Sequence, residues 1–233
     1  MLRYLTLPVM LLALGVAACG DDDDSDDGGD SGGATPAETQ VQTQAQEPAP
    51  EREGGCVEVS QPEPKPDGGE EPPTEELSGE TEVTFKTNCG SFTVTMDPEV
   101  GGLSAASFVQ LAESGFYEDT FFHRIAPGFV IQGGDPTGTG TGGPGYTTRD
   151  APPSDAQYPK YTVAMAKGGE EKPGTSGSQF FVMTGDSGLP PQYAIVGEVT
   201  GGTKVIDRIG KFGDATELPT RIVVLEKASV EGG

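Results

Sequence analysis

From about residue 82 onward, apolar and polar residues of this 233-residue chain alternate with a period of two over many short stretches. In Glu82-Val83-Thr84-Phe85-Lys86-Thr87 and Ser91-Phe92-Thr93-Val94-Thr95-Met96 every second side chain is apolar, which predicts two strands with one buried face each. Asn88-Cys89-Gly90 between them predicts a hairpin, because Asn and Gly tolerate the positive φ of tight turns. The period then lengthens. Over residues 104–114, Ala105, Phe108, Leu111 and Ala112 share one helical face, with Ser104 suited to the N-cap and Gly115 to the stop. A helix so placed would plug the open end of a sheet.

Strands return in residues 116–135. There Phe129 and Ile131 alternate with Val130 and Gln132, so that one face meets a core and the other is available to a groove, with Pro127-Gly128 and Gly133-Gly134 as bounding turn signals. Further strands are predicted at 162–166, 178–183, 193–199 and 221–227, a second short helix at 203–209, and loops at 137–145 and 167–178. Gly138-Thr139-Gly140-Thr141-Gly142-Gly143 is a poor phosphate cradle, since no Lys-Ser/Thr follows it and no helix opens there. Many short strands with two helices argue for a closed antiparallel barrel, and residues 77–233 have room for one core.

Composition changes the picture at the amino terminus. Arg3, an apolar stretch from Leu5 to Leu14, and the small residues Val16-Ala17-Ala18 before Cys19 read as an export signal over residues 1–18, too short to span a bilayer as a helix. The tetrapeptide Val16-Ala17-Ala18-Cys19 resembles the lipobox of bacterial lipoproteins, which implies acylation of Cys19 and a lipid anchor on the outer face of the cytoplasmic membrane of a bacterial cell. Residues 19–76 are acidic and rich in Pro and Gly with almost no large apolar side chains, so they are expected to form a disordered tether. Of the formal charge of -23, most sits there: residues 20–80 hold 19 acidic and 2 basic side chains. That balance excludes a nucleic-acid partner, which needs clustered Lys and Arg. The Asp21 to Asp27 run lacks the turn-defining spacing of a metal loop. Cys56 and Cys89, the other two thiols, would face a disulfide-permitting compartment, where a bridge would pin the tether's end to the first hairpin; two free thiols is the rival reading.

The order of motifs is specific: FHRxxPGFVIQGGD at 121–135, then GTGTGG, Met165-Ala166, Gly177-Ser178-Gln179-Phe180-Phe181, a Leu-containing loop and VGEV. Over residues 82–227 this order resembles the cyclophilin family of peptidyl-prolyl cis-trans isomerases. The resemblance implies an eight-stranded antiparallel barrel capped by two helices, acting as a monomer on X-Pro bonds of polypeptides without cofactor or metal. It assigns Arg124, Gln132 and Phe129 to catalysis, and Val130, Phe181 and Leu189 with Phe129 to the apolar prolyl pocket. Ala166 and Gln179 match residues that hold the peptide backbone before proline. Three positions depart from the family pattern. Tyr193 stands for a pocket histidine, Gly188 for a pocket tryptophan and Lys167 for a backbone-binding asparagine.

The chemistry needs no nucleophile or base. The barrier to X-Pro rotation is amide resonance, about 18–20 kcal/mol, and falls if a donor stabilises the pyramidal prolyl nitrogen while a pocket holds the ring. Arg124 is a permanent donor. His123, the single histidine, has neither partner ligands for a metal nor a proton to move. A hydrolase lacks support in the same way, since no Ser or Cys sits in a nucleophile elbow. The expected function is isomerase-assisted folding of exported polypeptides; the alternative is a proline-peptide-binding or chaperone module with little turnover.

Overall fold

A computed structural model describes residues 55–186 and 188–232 of the chain. The expected signal peptide, the acylated Cys19 and most of the tether lie outside the described residues.

The fold opens on a hairpin, β1 (Thr81–Thr87) and β2 (Gly90–Met96), in which Val83, Phe85, Phe92 and Val94 turn to one buried face. Its turn uses the two expected residues differently. Gly90 supplies the positive φ, whereas Asn88 keeps φ negative and acts as a clamp. Its amide donates to Val57 O and Ile222 O, and its Oδ1 accepts from Val224 N.

The helix α1 (Pro98–Glu113) starts earlier than the apolar period predicts, with Asp97 as N-cap accepting from Glu99 N and Val100 N. Gly102, at φ 50 and ψ -136, breaks it, so Ser104 begins a second helical segment. Ser104 does not cap that segment with its own side chain; Asp150 does, accepting from both Ser104 N and Ser104 Oγ. The stop is as expected. Gly115 takes φ 76 and donates to Ala112 O while Phe116 N donates to Leu111 O, the paired bonds of a Schellman end.

Then follow β3 (Thr120–Phe121), β4 (Arg124–Ala126), β5 (Val130–Gly133), β6 (Thr148–Arg149), β7 (Thr162–Met165), β8 (Thr175–Ser176), β9 (Phe180–Met183), β10 (Ile195–Gly201), α2 (Thr203–Ile209) and β11 (Val224–Gly232). All pairings are antiparallel, in the order β3-β11-β1-β2-β10-β7-β9-β5-β4, with β6 and β8 pairing separately. The sheet has nine strands where eight were expected, with β3 and β4, two residues apart in the chain, at its two ends. The sheet is curled, and among the described residues no ladder of hydrogen bonds joins β3 to β4, so the expected closure is not seen as strand pairing.

Inside the curl lies the main core. Phe108 of α1 reaches in to meet Phe85, Tyr117 and Phe180 at ring separations of 5.1 to 5.8 Å, so this helix does plug the sheet. Ile206 and Ile209 of α2 join the same core, and α2 packs against β2.

The expected tether ends sooner than residue 76. Cys56 and Cys89 form a disulfide, so the free-thiol alternative does not hold. From Gly55 the chain crosses the barrel as a strap. Arg208 donates to Gly55 O and Cys89 O, Val57 N to Asn88 O, and the Lys65 ammonium to Phe116 O and Glu118 O. Composition suggested disorder because the strap buries little apolar surface of its own. It is held instead by a disulfide and by backbone hydrogen bonds, neither of which has a hydropathy signature.

Candidate functional site

The groove lies on the outer face of β4, β5, β9 and β7, and strand register builds it. Arg124 pairs with Gln132, Gln132 with Phe181 and Phe181 with Ala164, one row across four strands. The next row is Ala126, Val130 and Met183. Side chains one residue away, Ile125, Ile131, Phe180, Val182, Val163 and Met165, point into the barrel core. Both faces of these strands are therefore largely apolar, and Ala126, Val130, Tyr158, Ala164, Phe181 and Met183 form a second cluster beneath the groove. Phe129 also faces the groove although it neighbours Val130. It precedes β5, in a turn where its N–H donates to Ala126 O, so strand alternation does not govern it.

Arg124, Phe129, Val130, Gln132, Ala166, Lys167, Phe181, Leu189 and Tyr193 line one cavity of about 170 Å³. Gln179 lines a neighbouring cavity of about 710 Å³ that shares Gln132, Ala166 and Lys167 with the first. All ten positions singled out in the sequence thus meet along one continuous groove.

A polar chain runs along its floor. Arg124 Nε donates to Glu217 Oε2 at 2.7 Å and Nη1 to Gln132 Oε1 at 3.2 Å. Gln132 Nε2 donates to Gln179 Oε1 at 3.0 Å, and Gln179 Nε2 to Gly142 O at 2.9 Å. The guanidinium carbon lies 5.8 Å from the Phe129 ring centroid, within cation–π reach. Glu217 and Gln132 engage Nε and one N–H of Nη1, which leaves the second Nη1 N–H and the Nη2 amino group as donors for a ligand.

At the opposite end Tyr193 packs edge-on to Phe181, centroids 5.3 Å apart. The buried Tyr158 hydroxyl donates to Tyr193 O at 2.9 Å and accepts from Tyr193 N at 3.1 Å, which fixes that wall. Burial pushes the Tyr158 phenol above its ordinary value, so it stays protonated. Lys167 folds back on its own loop, donating to Gly168 O and Glu171 O, with its ammonium 5.9 Å from the Tyr193 ring. Gly188, where the family pattern has an aromatic, borders open space: a Cβ there would meet nothing within 4 Å.

His123 stands behind the row. Burial lowers its pKa, the neighbouring Arg124 lowers it further, and Asp135 opposes them; the net is a neutral imidazole near pH 7. Its Nδ1 is buried without a hydrogen-bond partner. Asp135 accepts from Thr137 N, Thr137 Oγ1 and Gly140 N, and shapes the 137–145 loop.

Sequence reasoning missed four contributors. Glu217 is a non-glycine residue at φ 66, presented by a turn in which Asp214 Oδ1 accepts from Thr216 N and Leu218 N; the Asp-x-Thr spacing was its available signal. Gly142, Tyr158 and the strap's Asp67 carried no such pattern.

The sequence pattern of the family described as cyclophilin type peptidyl-prolyl cis-trans isomerase matches residues 82–230. The chain is 38% identical over 177 residues to a probable peptidyl-prolyl cis-trans isomerase A of Mycobacterium leprae, covering 67% of this chain and 96% of that protein. It is also 38% identical over 170 residues to peptidyl-prolyl cis-trans isomerase B of Streptomyces anulatus, covering 64% and 95%. Among solved structures, a cyclophilin type peptidyl-prolyl cis-trans isomerase of Cryptosporidium parvum superimposes with a TM-score of 0.60 at 29% identity, over 66% of this chain and 99% of that one. The same protein in the presence of the dipeptide Ala-Pro gives 0.58 at 28%, over 65% and 99%.

Proposed function

The chain belongs to the cyclophilin-type peptidyl-prolyl cis-trans isomerase family and is such an isomerase, and from that premise we propose that it works as a lipid-anchored monomer on exported polypeptides outside the cytoplasmic membrane. Acylated Cys19 is the anchor, and the acidic residues between it and Gly55 are the spacer that lets the barrel reach its substrates. The lipobox-like Val16-Ala17-Ala18-Cys19 supports this reading.

In the groove, the proline ring enters the small cavity against Phe129, Val130, Phe181 and Leu189. Ala166 and Gln179 hold the backbone before proline, Lys167 and Tyr193 close the side, and Gln132 orients the rotating carbonyl. Arg124 donates to the prolyl nitrogen as it becomes pyramidal. Twisting breaks the conjugation that had withdrawn that nitrogen's lone pair, so the hydrogen bond strengthens only in the twisted state. Stabilising the twisted amide more than either planar isomer is what lowers the barrier. Glu217 and Gln132 fix the guanidinium beforehand, so little reorganisation is needed during rotation.

The observation that carries these roles is the single cross-strand row Arg124, Gln132, Phe181. The test is isomerisation of a short X-Pro peptide by the wild type and by Arg124→Ala, where the variant is expected to lose most of the rate while keeping its fold. A wild type that binds the peptide without turnover would favour the second reading, a proline-peptide-binding or chaperone module, for which the open rim at Gly188 is the favouring observation. Labelling of Cys19 by fatty acid, lost in Cys19→Ser, tests the anchor.

A further inference from the structure

The larger cavity beyond Gln132 and Ala166 takes one wall residue from outside the barrel: Asp67 of the strap. The family pattern begins at residue 82, so the strap lies outside the residues that it matches. It is laid firmly along the rim. Asp67 Oδ1 accepts from Gly143 N at 2.7 Å, while Gly68 N donates to Gly143 O, Glu70 N to Pro144 O and Lys65 N to Pro136 O. Where the two chains cross, a Cβ on Gly145 would lie 3.1 Å from Gly68 Cα, so two backbones meet with no side chain between them.

The strap also sets the charge of that end. Asp67 and Glu171 line the cavity, and Glu70 lies near enough to Tyr146, another wall residue, to act on its phenol. The opposing cation is Lys167, which lines both cavities and donates to Gly168 O and Glu171 O on the loop that carries Glu171. Two carboxylates to one ammonium leave the cavity wall net negative, and Asp67, whose bonded partner is Gly143 N, is the carboxylate that does not share a loop with Lys167.

We propose that the strap is part of the substrate site and that Asp67 makes the larger cavity select a Lys or Arg side chain on the amino side of the X-Pro pair. This rests on the reading that Ala166 and Gln179 hold the backbone before proline. A chain seated with its proline in the small cavity reaches the larger one within about two residues, since each extended residue spans about 3.3–3.6 Å and the two cavities share a wall. Selection acts on binding, because a side chain remote from the rotating bond meets Asp67 equally in the planar and twisted states.

The test uses the full chain and two peptides that differ only in Lys or Glu at the residue before the X-Pro pair. The wild type is expected to favour the Lys peptide about threefold to fivefold in kcat/KM, carried by KM, as befits a partly exposed charge pair. Asp67→Asn keeps an acceptor for Gly143 N but loses the charge, and should bring the ratio near one with kcat unchanged; Asp67→Lys should invert it. Raising salt to about 0.5 M should compress the wild-type ratio as Asp67→Asn does. Turnover of both peptides at equal efficiency, or a wild-type ratio that survives Asp67→Asn, overturns the proposal and leaves the isomerase reading intact. No turnover of either peptide removes that reading and the proposal together.

Discussion

The groove has two walls of different construction. One is borne by the sheet: Arg124, Val130, Gln132 and Phe181 project from adjacent strands and are placed by register. The other is borne by loops: Glu217, Gly142, Lys167, Tyr193 and the strap's Asp67 come from five separate connections and are placed by local hydrogen bonds. Register is rigid because slipping it by one residue would exchange the groove face for the core face, and here the core face carries Ile125, Ile131 and Phe180. Loops carry no such penalty. On the proposed roles the difference is a division of labour: Arg124 and Gln132, which would meet the twisted amide, sit on the sheet, and contacts that would decide which peptide is held sit on the loops.

The largest effect should come from the sheet wall. Arg124→Ala should lower kcat/KM by roughly 10²–10³, the usual cost of losing one transition-state donor, while costing less than about 1 kcal/mol in stability, because its ion pair with Glu217 is partly exposed. Arg124→Lys keeps the charge but loses the fork that bonds Glu217 and Gln132 together, and should fall between. Peptide turnover with denaturant midpoints measured beside it checks both halves. An Arg124→Ala loss of only a few fold would break the division of labour outright.

Next comes the tie that holds the strap. Replacing both Cys56 and Cys89 with Ser opens a cross-link spanning 33 residues and should reduce stability by about 3 kcal/mol in urea unfolding. Neither cysteine lines the groove, so turnover of an uncharged X-Pro peptide should stay within about twofold. A collapse of turnover in the folded variant would mean that the strap shapes the sheet wall as well.

Tyr158→Phe should be milder. It strips a buried hydroxyl that bridges Tyr193 N and Tyr193 O, for an expected cost of about 1–3 kcal/mol in stability. Because Tyr193 belongs to the loop wall, KM should rise more than kcat falls. The reverse split would move Tyr193 to the chemistry.

The two walls also differ in how far the sequence disclosed them. Alternation at 129–132 announced a strand with a groove face, and it held for Val130, Ile131 and Gln132 because tertiary pairing enforced the same period. It failed for Phe129, which lies in a turn. The two-residue periodicity of β1 and β2 likewise gave the hairpin within a residue at each end. α1 began six residues before the predicted Ser104, since the apolar period marks the packed face and says nothing of Asp97, a cap whose signal is one residue, or of the break at Gly102. Asp67 and Glu217 were hidden for a common reason. Each acts through a contact with a residue far off in sequence, Gly143 and Arg124, and neither partner alters local hydropathy. The strap is the least legible segment, because composition reports whether a segment can bury its own apolar surface and is blind to a segment held by a disulfide and by backbone bonds to a neighbour.

The smallest effect concerns His123, adjacent to Arg124 in sequence and outside the proposed chemistry. Burial and the adjacent Arg124 lower its pKa below the unfolded value, against the pull of Asp135. The unfolded chain therefore takes up a proton first as pH falls. Stability from this site is full above about pH 6.5, the ordinary imidazole value, and declines below it toward the folded-state value. Asp135 titrates in a separate window: burial raises its pKa, hydrogen bonds from Thr137, Gly142 and Gly140 outweigh that, and its contribution is lost only at lower pH. His123→Gln should flatten the stability profile just below pH 6.5 without touching the lower limb. Turnover should tell a different story. A guanidinium does not titrate in this range, so kcat on an X-Pro peptide should be level between about pH 6 and 8 in both wild type and variant. A histidine-like step in kcat that vanished in His123→Gln would place a proton transfer in the reaction and give the sheet wall a second chemical group. A level profile over a sloping stability curve leaves Arg124 as the group that acts and His123 as a buried neighbour that the fold keeps neutral.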